Sequence, residues 1–348
     1  MDTRIQSEKT EPIDHDSLTR ELAAFQHPSR LKSSWQLVNT LVPYVGLWAL
    51  AYYALQYSFW AALPVILLNA GFLVRIFIIF HDCGHGTFFR SKKANRFWGV
   101  ITGVLTFTPY YFWTAAHAKH HATSGNLDKR GSGDVWLMTV DEYLKASKSE
   151  KFRYRFYRNP FVMFILGPLY LALVSHRFLR RKAKRKEQIS IHGTNLGILI
   201  VAVAASFLMG WKDYLIIQSL IVFLGLVGGV WLFYVQHQFE GVYWSRGKEW
   251  DFVKASLEGG SFYQLPAVLR WFSGNIGYHH VHHLNPRIPN YRLPKCHNQI
   301  PVLAETNSVR LIPSLKSITF RLYDEEEGKL VGFGAVKRRR RKMQASAA

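Results

Sequence analysis

The sequence predicts an all-α membrane protein. It should have four transmembrane helices in two hairpins, plus interfacial helices and a cytoplasmic cap that carries a histidine-rich site. Three observations predict this. Long apolar runs alternate with strongly basic stretches, the profile of a chain threaded through a bilayer. The clearest apolar runs come in two closely spaced pairs. Three histidine clusters fall, under the resulting topology, on one side of the membrane.

Taken in order, residues 1–37 are polar and charged, with no apolar stretch of the signal-peptide kind, and are expected in the cytoplasm. Crossing the hydrocarbon core takes about 20 mostly apolar residues. Four stretches qualify: 38–58, 60–80, 195–211 and 214–235. The last two are joined by the short turn GWKD at 210–213. Two weaker stretches lie between the hairpins. Residues 97–113 are short and contain Pro109, and 160–176 are interrupted by Gly167-Pro168.

The charge pattern decides how these two run. If 97–113 crossed, the histidines near 117 would lie opposite those near 81. If 160–176 crossed, the run RFLRRKAKRK (177–186) would lie outside, against the tendency of cytoplasmic loops to be basic. Both segments are therefore expected to lie in the interface, or to dip in and return. The membrane domain then covers 38–325, and a basic tail containing VKRRRRKM covers 326–348.

Composition narrows the partners. The 348-residue chain is 49% hydrophobic with a net charge of +21. Its basic residues flank apolar runs, which points to lipid and topology rather than nucleic acid. With only Cys83 and Cys296, a disulfide framework or cysteine-rich zinc module is excluded, and Cys83 reads as a packing residue.

The three clusters share a geometry. HDCGH puts His81 and His85 at i and i+4. HAKHH puts His117, His120 and His121 at i, i+3 and i+4, and HHVHH repeats this with His279, His282 and His283. On a helix each set lies on one face, where neutral imidazoles converge on a metal. His280 points elsewhere. His237, just after the last span, should sit at the depth of His81. The other histidines (His15, His27, His176, His192 and His297) read as surface or packing residues. Nine imidazoles are too many for one ion and suggest two. Imidazole suits iron, zinc, copper and nickel alike, so ligand type leaves the metal open. Asp82 and Asp128 are candidate acceptors for the outer N–H groups of the ligands. Tyr111, Trp113 and Trp271 would line a substrate tunnel or belong to an interfacial aromatic belt.

In order and placement, HDCGH, HAKHH and HHVHH resemble the three histidine boxes of the membrane fatty acid desaturases. The flanks GHGTFFRSKKAN (84–95), HHATSGNLDKRGSGDVW (120–136) and GNIGYHHVHHLNPRIPNY (274–291) are similar to bacterial acyl-lipid desaturases, over about residues 35–325. The resemblance implies two iron ions held by His81, His85, His117, His120, His121, His237, His279, His282 and His283. It implies dioxygen as co-substrate, a membrane-lipid acyl chain as substrate, and a cis double bond as product. It also implies an integral protein of the bacterial inner membrane with its active site on the cytoplasmic face. Some members of the family use an asparagine four residues before the histidine that His237 matches; Phe233 stands there. No haem-binding HPGG motif occurs, so electrons are expected from a separate donor such as a ferredoxin or flavodoxin, drawn by the basic face. Related lipid or carotenoid hydroxylases and ketolases share the boxes. A metal transporter or sensor is the alternative from another class, although transport sites lie near the bilayer midplane rather than past helix ends.

An unactivated methylene has neither an acidic proton nor a leaving group. Oxidising it is work for a metal cofactor, while the protein holds one carbon–carbon bond in place and excludes water.

Overall fold

A computed structural model describes residues 15–131, 133–178 and 183–346. The start of the N-terminal segment and the centre of the basic run 177–186 lie outside the described residues. A short helix α1 (His15–Ala23) leads into α2 (Arg30–Tyr57) and α3 (Phe59–His85). Ser58 joins them, closing α2 through its own amide and capping α3 by accepting a hydrogen bond from the Ala61 amide. Helices α4 (Lys92–Leu105) and α5 (Tyr110–Thr123) follow, then strand β1 (Met138–Thr139), α6 (Val140–Lys145) and α7 (Lys148–Tyr157). Next comes α8 (Gly167–Tyr170), flanked by π-helical turns at Val162–Leu166 and Leu171–Ser175. The second long pair is α9 (Arg185–Met209) and α10 (Trp211–His237), joined at Gly210. Gly210 has φ 85°, a left-handed backbone that glycine adopts without strain.

Among the described residues, α2, α3, α9 and α10 are the four helices long and apolar enough to cross a membrane. They are the four expected from the sequence, extended at their polar ends. A helix of 27 residues, as α3 and α10 are, runs about 40 Å, against roughly 30 Å of hydrocarbon. The surplus carries His81 and His85 at the end of α3 and His237 at the end of α10 beyond the apolar core. Helix α3 packs between α2 and α10 around Ile66, Leu73, Ile76, Ile217 and Ile221. A Cβ on Gly225 of α10 would come within 2.7 Å of the Leu73 side chain, so glycine there sets how closely the two helices approach.

Neither of the two weak segments forms a single long straight helix. Residues 97–113 form a helical hairpin, with α4 and α5 folded back on each other. A Cβ on Gly103 would lie 2.6 Å from the Thr108 carbonyl oxygen, which shows how tight that turn is. The segment Val162–Ser175 bends by 64° from α7, and neither piece alone matches the hydrocarbon thickness.

Beyond α10 the chain forms a cap of short elements: α11 (Phe252–Leu257), β2 (Phe262–Gln264), α12 (Ala267–Phe272), α13 (His279–Leu284), α14 (Leu293–Gln299), α15 (Pro301–Ala304), β3 (Ser308–Arg310), α16 (Leu311–Ser314), β4 (Leu322–Asp324), β5 (Lys329–Val331) and α17 (Gly334–Ser346). Two small sheets tie it together, an addition to the all-helical expectation. β1, β4 and β5 form one, with Met138 opposite Leu322 and Tyr323 opposite Leu330; β2 and β3 form the other, with Tyr263 opposite Val309. Strands of two or three residues leave too short a hydrophobic alternation to see in the sequence. Residues 326–348 include β5 and α17. Arg339 of α17 is buried and pairs with Asp324 at 2.6 Å and with Asp141 at 3.1 Å.

Candidate metal centre

The end of α3, the second half of α5, the end of α10 and the whole of α13 converge, and their histidines form two groups. One holds His81, His85, His117, His121 and His282; the other holds His120, His237, His279 and His283. Within each group the candidate ligand atoms lie within 4.8 Å of one another. All nine residues singled out from the sequence are in one group or the other.

Helix geometry explains the partition. Each i, i+4 pair stays together: His81 with His85, His117 with His121, and His279 with His283. The i+3 residues, His120 and His282, cross to the other group. Sequence spacing places three residues on a face but does not say that the face straddles two centres. His121 and His283 stack with ring centroids 4.2 Å apart, so the groups adjoin.

The close contacts run through Nε2 atoms. His121 Nε2 lies 3.1 Å from His117 Nε2 and 3.0 Å from His282 Nε2. His237 Nε2 lies 3.1 Å from His120 Nε2 and 2.9 Å from His279 Nε2. Metal bonds of about 2.1 Å put neighbouring ligand nitrogens roughly 3.0–3.4 Å apart. In addition, His85 Nε2 and His283 Nε2 are buried without a hydrogen-bond partner. A buried polar atom without a partner is costly, and a metal at each centre supplies what these two lack. The residues present therefore fit a pair of metal ions.

Electrostatics favours the same reading. Burial first, then neighbouring imidazoles, push His117, His121, His279, His282 and His283 well below the ordinary histidine value. They are held neutral, the state in which a ring nitrogen can ligate.

Several outer contacts orient the rings. Asp82 Oδ1 lies 3.2 Å from His81 Nδ1, and Asp82 Oδ2 accepts from the Asn290 amide at 2.7 Å and from Asn290 Nδ2 at 2.9 Å. The Gly259 carbonyl lies 3.2 Å from His237 Nδ1. His120 Nδ1 meets Asp134 Oδ1 at 2.5 Å. Each leaves Nε2 free for a metal, the usual arrangement around ligating histidines. Asp128, expected from the sequence to meet a ligand imidazole, does not take part. Its carboxylate pairs with Arg246 at 2.6 Å and accepts from the Gly247 amide, on the surface. The loop turns back at Gly133, so Asp134 reaches the histidines and Asp128 stays outside. Gly133 has φ 76°, and a Cβ on it would sit 3.1 Å from His120 Cβ and from the Ala116 carbonyl oxygen. The sequence signal for Asp134 is the pair Gly131 and Gly133 just before it.

His280 points away, its Nε2 3.0 Å from His297 Nδ1 and 3.1 Å from the Leu303 carbonyl oxygen. Trp113 stacks on His117 at 4.2 Å and so lines the metal site. Trp271 lies under the Arg75 guanidinium at 3.9 Å, and Tyr111 packs against Tyr110. Phe233 lies 5.2 Å from both His120 and His237, an apolar ring beside the four-histidine group. Cys83 is fully buried in packing.

Comparison with known proteins agrees with this geometry. The model of the family described as "Fatty acid desaturase" matches residues 57–313. A fatty acid desaturase of Bacillus subtilis is 48% identical over 331 residues, covering 95% of this chain and 94% of that protein. Two proteins of Synechocystis sp. are more distant. An sn-1 acyl-lipid omega-3 desaturase (ferredoxin) is 29% identical over 75% of this chain and 72% of its own length. An sn-1 oleoyl-lipid 12-desaturase is 25% identical over 84% of this chain and 85% of its own.

Proposed function

The chain belongs to the fatty acid desaturase family and is an integral membrane oxidoreductase; from that premise we propose that it introduces a cis double bond into the acyl chain of a membrane lipid, using two irons held by the nine histidines. The partition into five and four imidazoles is the observation that carries this reading, because it makes two adjacent nitrogen-rich sites. His81, His85, His117, His121 and His282 would hold one iron; His120, His237, His279 and His283 would hold the other. When bound, the pair supplies the oxidising power drawn from dioxygen. Overall, one –CH2–CH2– unit, dioxygen, two electrons and two protons give one –CH=CH– unit and two waters.

The chain's own residues do the rest. Asp82, Asp134 and the Gly259 carbonyl hold the imidazoles in a ligating orientation. Burial keeps His117, His121, His279, His282 and His283 neutral. Trp113 on one side and Phe233 on the other present apolar walls against which an alkyl chain can lie. The two electrons come from a separate protein; the name of one relative includes ferredoxin, and a net charge of +21 favours an acidic donor. The sites lie on the face that carries the cap and the basic tail, which supports a cytoplasmic orientation in a bacterial inner membrane.

The test is the fatty-acid profile of a heterologous host with and without the chain, co-expressed with ferredoxin and its reductase, with double bonds localised by gas chromatography and mass spectrometry. A new unsaturated peak is expected. A hydroxylated or keto product would instead assign the chain to the related hydroxylases and ketolases, and an unchanged profile with the donor present would refute the reading.

A further inference from the structure

Arg75 lies on a membrane-spanning helix, six residues before His81, or about 9 Å along the axis. It is 7% exposed. Its Nε donates to Thr40 Oγ1 at 3.0 Å, and a terminal nitrogen donates to the Trp271 carbonyl. Among the described residues no carboxylate pairs with it. A buried cation in a spanning helix is expensive and marks a site that has a use for the charge.

Arg75 is not alone. It lines a cleft of about 400 Å³ between α2, α3 and α12, together with Lys32 and Arg270. The Lys32 ammonium sits over the Tyr291 ring, another wall of the cleft. Lys32 and Arg270 are exposed and likewise pair with no carboxylate among the described residues. No acidic residue lines the cleft; its other polar walls are amides, including Gln36, Asn275 and Asn290. Three cations facing one space without a counter-ion are built for an anion, and the guanidinium fork suits phosphate oxygens best.

The surroundings say where that anion comes from. The outer face of α2 at the mouth shows Leu31, Trp35 and Val38, all more than half exposed, as expected of side chains in lipid. Trp35 and Trp271 line the cleft itself, and paired tryptophans mark headgroup depth. At the inner end Asn290 donates to Asp82, which contacts His81. The cleft therefore opens to lipid and ends one residue from the histidine groups.

We propose that the cleft built by Arg75, Arg270 and Lys32 binds the phosphate of a phospholipid headgroup and so seats the lipid whose acyl chain is to be oxidised. This rests on the acyl-lipid reading above and specifies its substrate: a lipid bearing phosphate.

The test is native mass spectrometry of the full, iron-loaded chain in detergent. It compares dioleoyl phosphatidylglycerol with dioleoylglycerol, which has the same acyl chains without phosphate. The wild-type chain is expected to retain the phospholipid in preference by about tenfold. Because Lys32 and Arg270 are exposed, the double variant Lys32→Gln/Arg270→Gln should fold and lose most of that preference. The Arg75→Lys variant, which keeps the charge but not the fork, should lose part of it. Equal retention of both lipids by the wild type, or an unchanged preference in the double variant, overturns the site. Displacement by inorganic phosphate at the concentration of the lipid would show an ion taken from water and overturn the lipid source. The readout needs no turnover. A phosphate preference in a chain that desaturates no lipid would sink the acyl-lipid reading and leave the phosphate site standing.

Discussion

His282 Nε2 lies 3.0 Å from His121 Nε2, although the two residues are 161 positions apart. His282 leaves its own helix neighbours His279 and His283, which join the other group. Each histidine group therefore draws on more than one helix, and α5 and α13 each contribute to both. Removing one imidazole should disturb its own centre first and the adjoining one through the shared helices.

His121→Ala and His283→Ala act on different groups. Each should abolish desaturation and remove at least one of the two irons, measured by elemental analysis of purified protein. His280→Ala should keep both irons. It removes the buried contacts of His280 with His297 and the Leu303 carbonyl and costs about 1–3 kcal/mol of stability. Equal iron loss at His280 would show the register of the third cluster to be wrong.

Asp134 and Asp128 are six residues apart and have different neighbours. Asp134→Asn weakens the hold on His120 and should lower iron affinity by roughly 10–100-fold, read by chelator competition. Asp128→Asn breaks a surface pair with Arg246 and should leave iron affinity unchanged.

Gly133→Ala tests the loop that delivers Asp134. A left-handed conformation costs a non-glycine residue about 1–2 kcal/mol, and the new methyl would press on His120 Cβ. The variant should melt lower in detergent and bind iron more weakly, in the same direction as Asp134→Asn. A fully iron-loaded Gly133→Ala protein with a wild-type melting point would contradict the loop geometry.

Glu142 sets a pH dependence. Burial opposes its charge, but hydrogen bonds from Arg130, the Thr139 amide and Arg246 outweigh burial and hold its carboxyl at about 2, against an ordinary 4.5. A depressed carboxyl contributes stability that is complete above the unfolded value and disappears as pH falls through the folded one. The melting temperature should therefore fall between pH 4.5 and pH 2. In Glu142→Gln, which keeps the capping contact at Thr139, this part of the acid sensitivity should disappear. An identical acid profile in both proteins would show that the Arg130 and Arg246 contacts add nothing.

The spans and the nine histidines were legible because each rests on a periodic signal. Apolar runs of membrane length identify helices, and i, i+4 spacing identifies chelating pairs. Three things were not legible. The division of the histidines depends on how α3, α5, α10 and α13 converge, which no single helix encodes. Asp134 rather than Asp128 meets His120 because of one left-handed glycine in an irregular loop. Arg75 lies inside an apolar run that gives no sign of its use, since its importance comes from Lys32 and Arg270, brought to the same cleft only by the packing of α2 and α12.

The most direct test of the central claim is the metal count of the wild-type chain, purified anaerobically after expression in iron-replete medium. The account predicts two irons per chain. One iron, or zinc in place of iron at both centres, would contradict it.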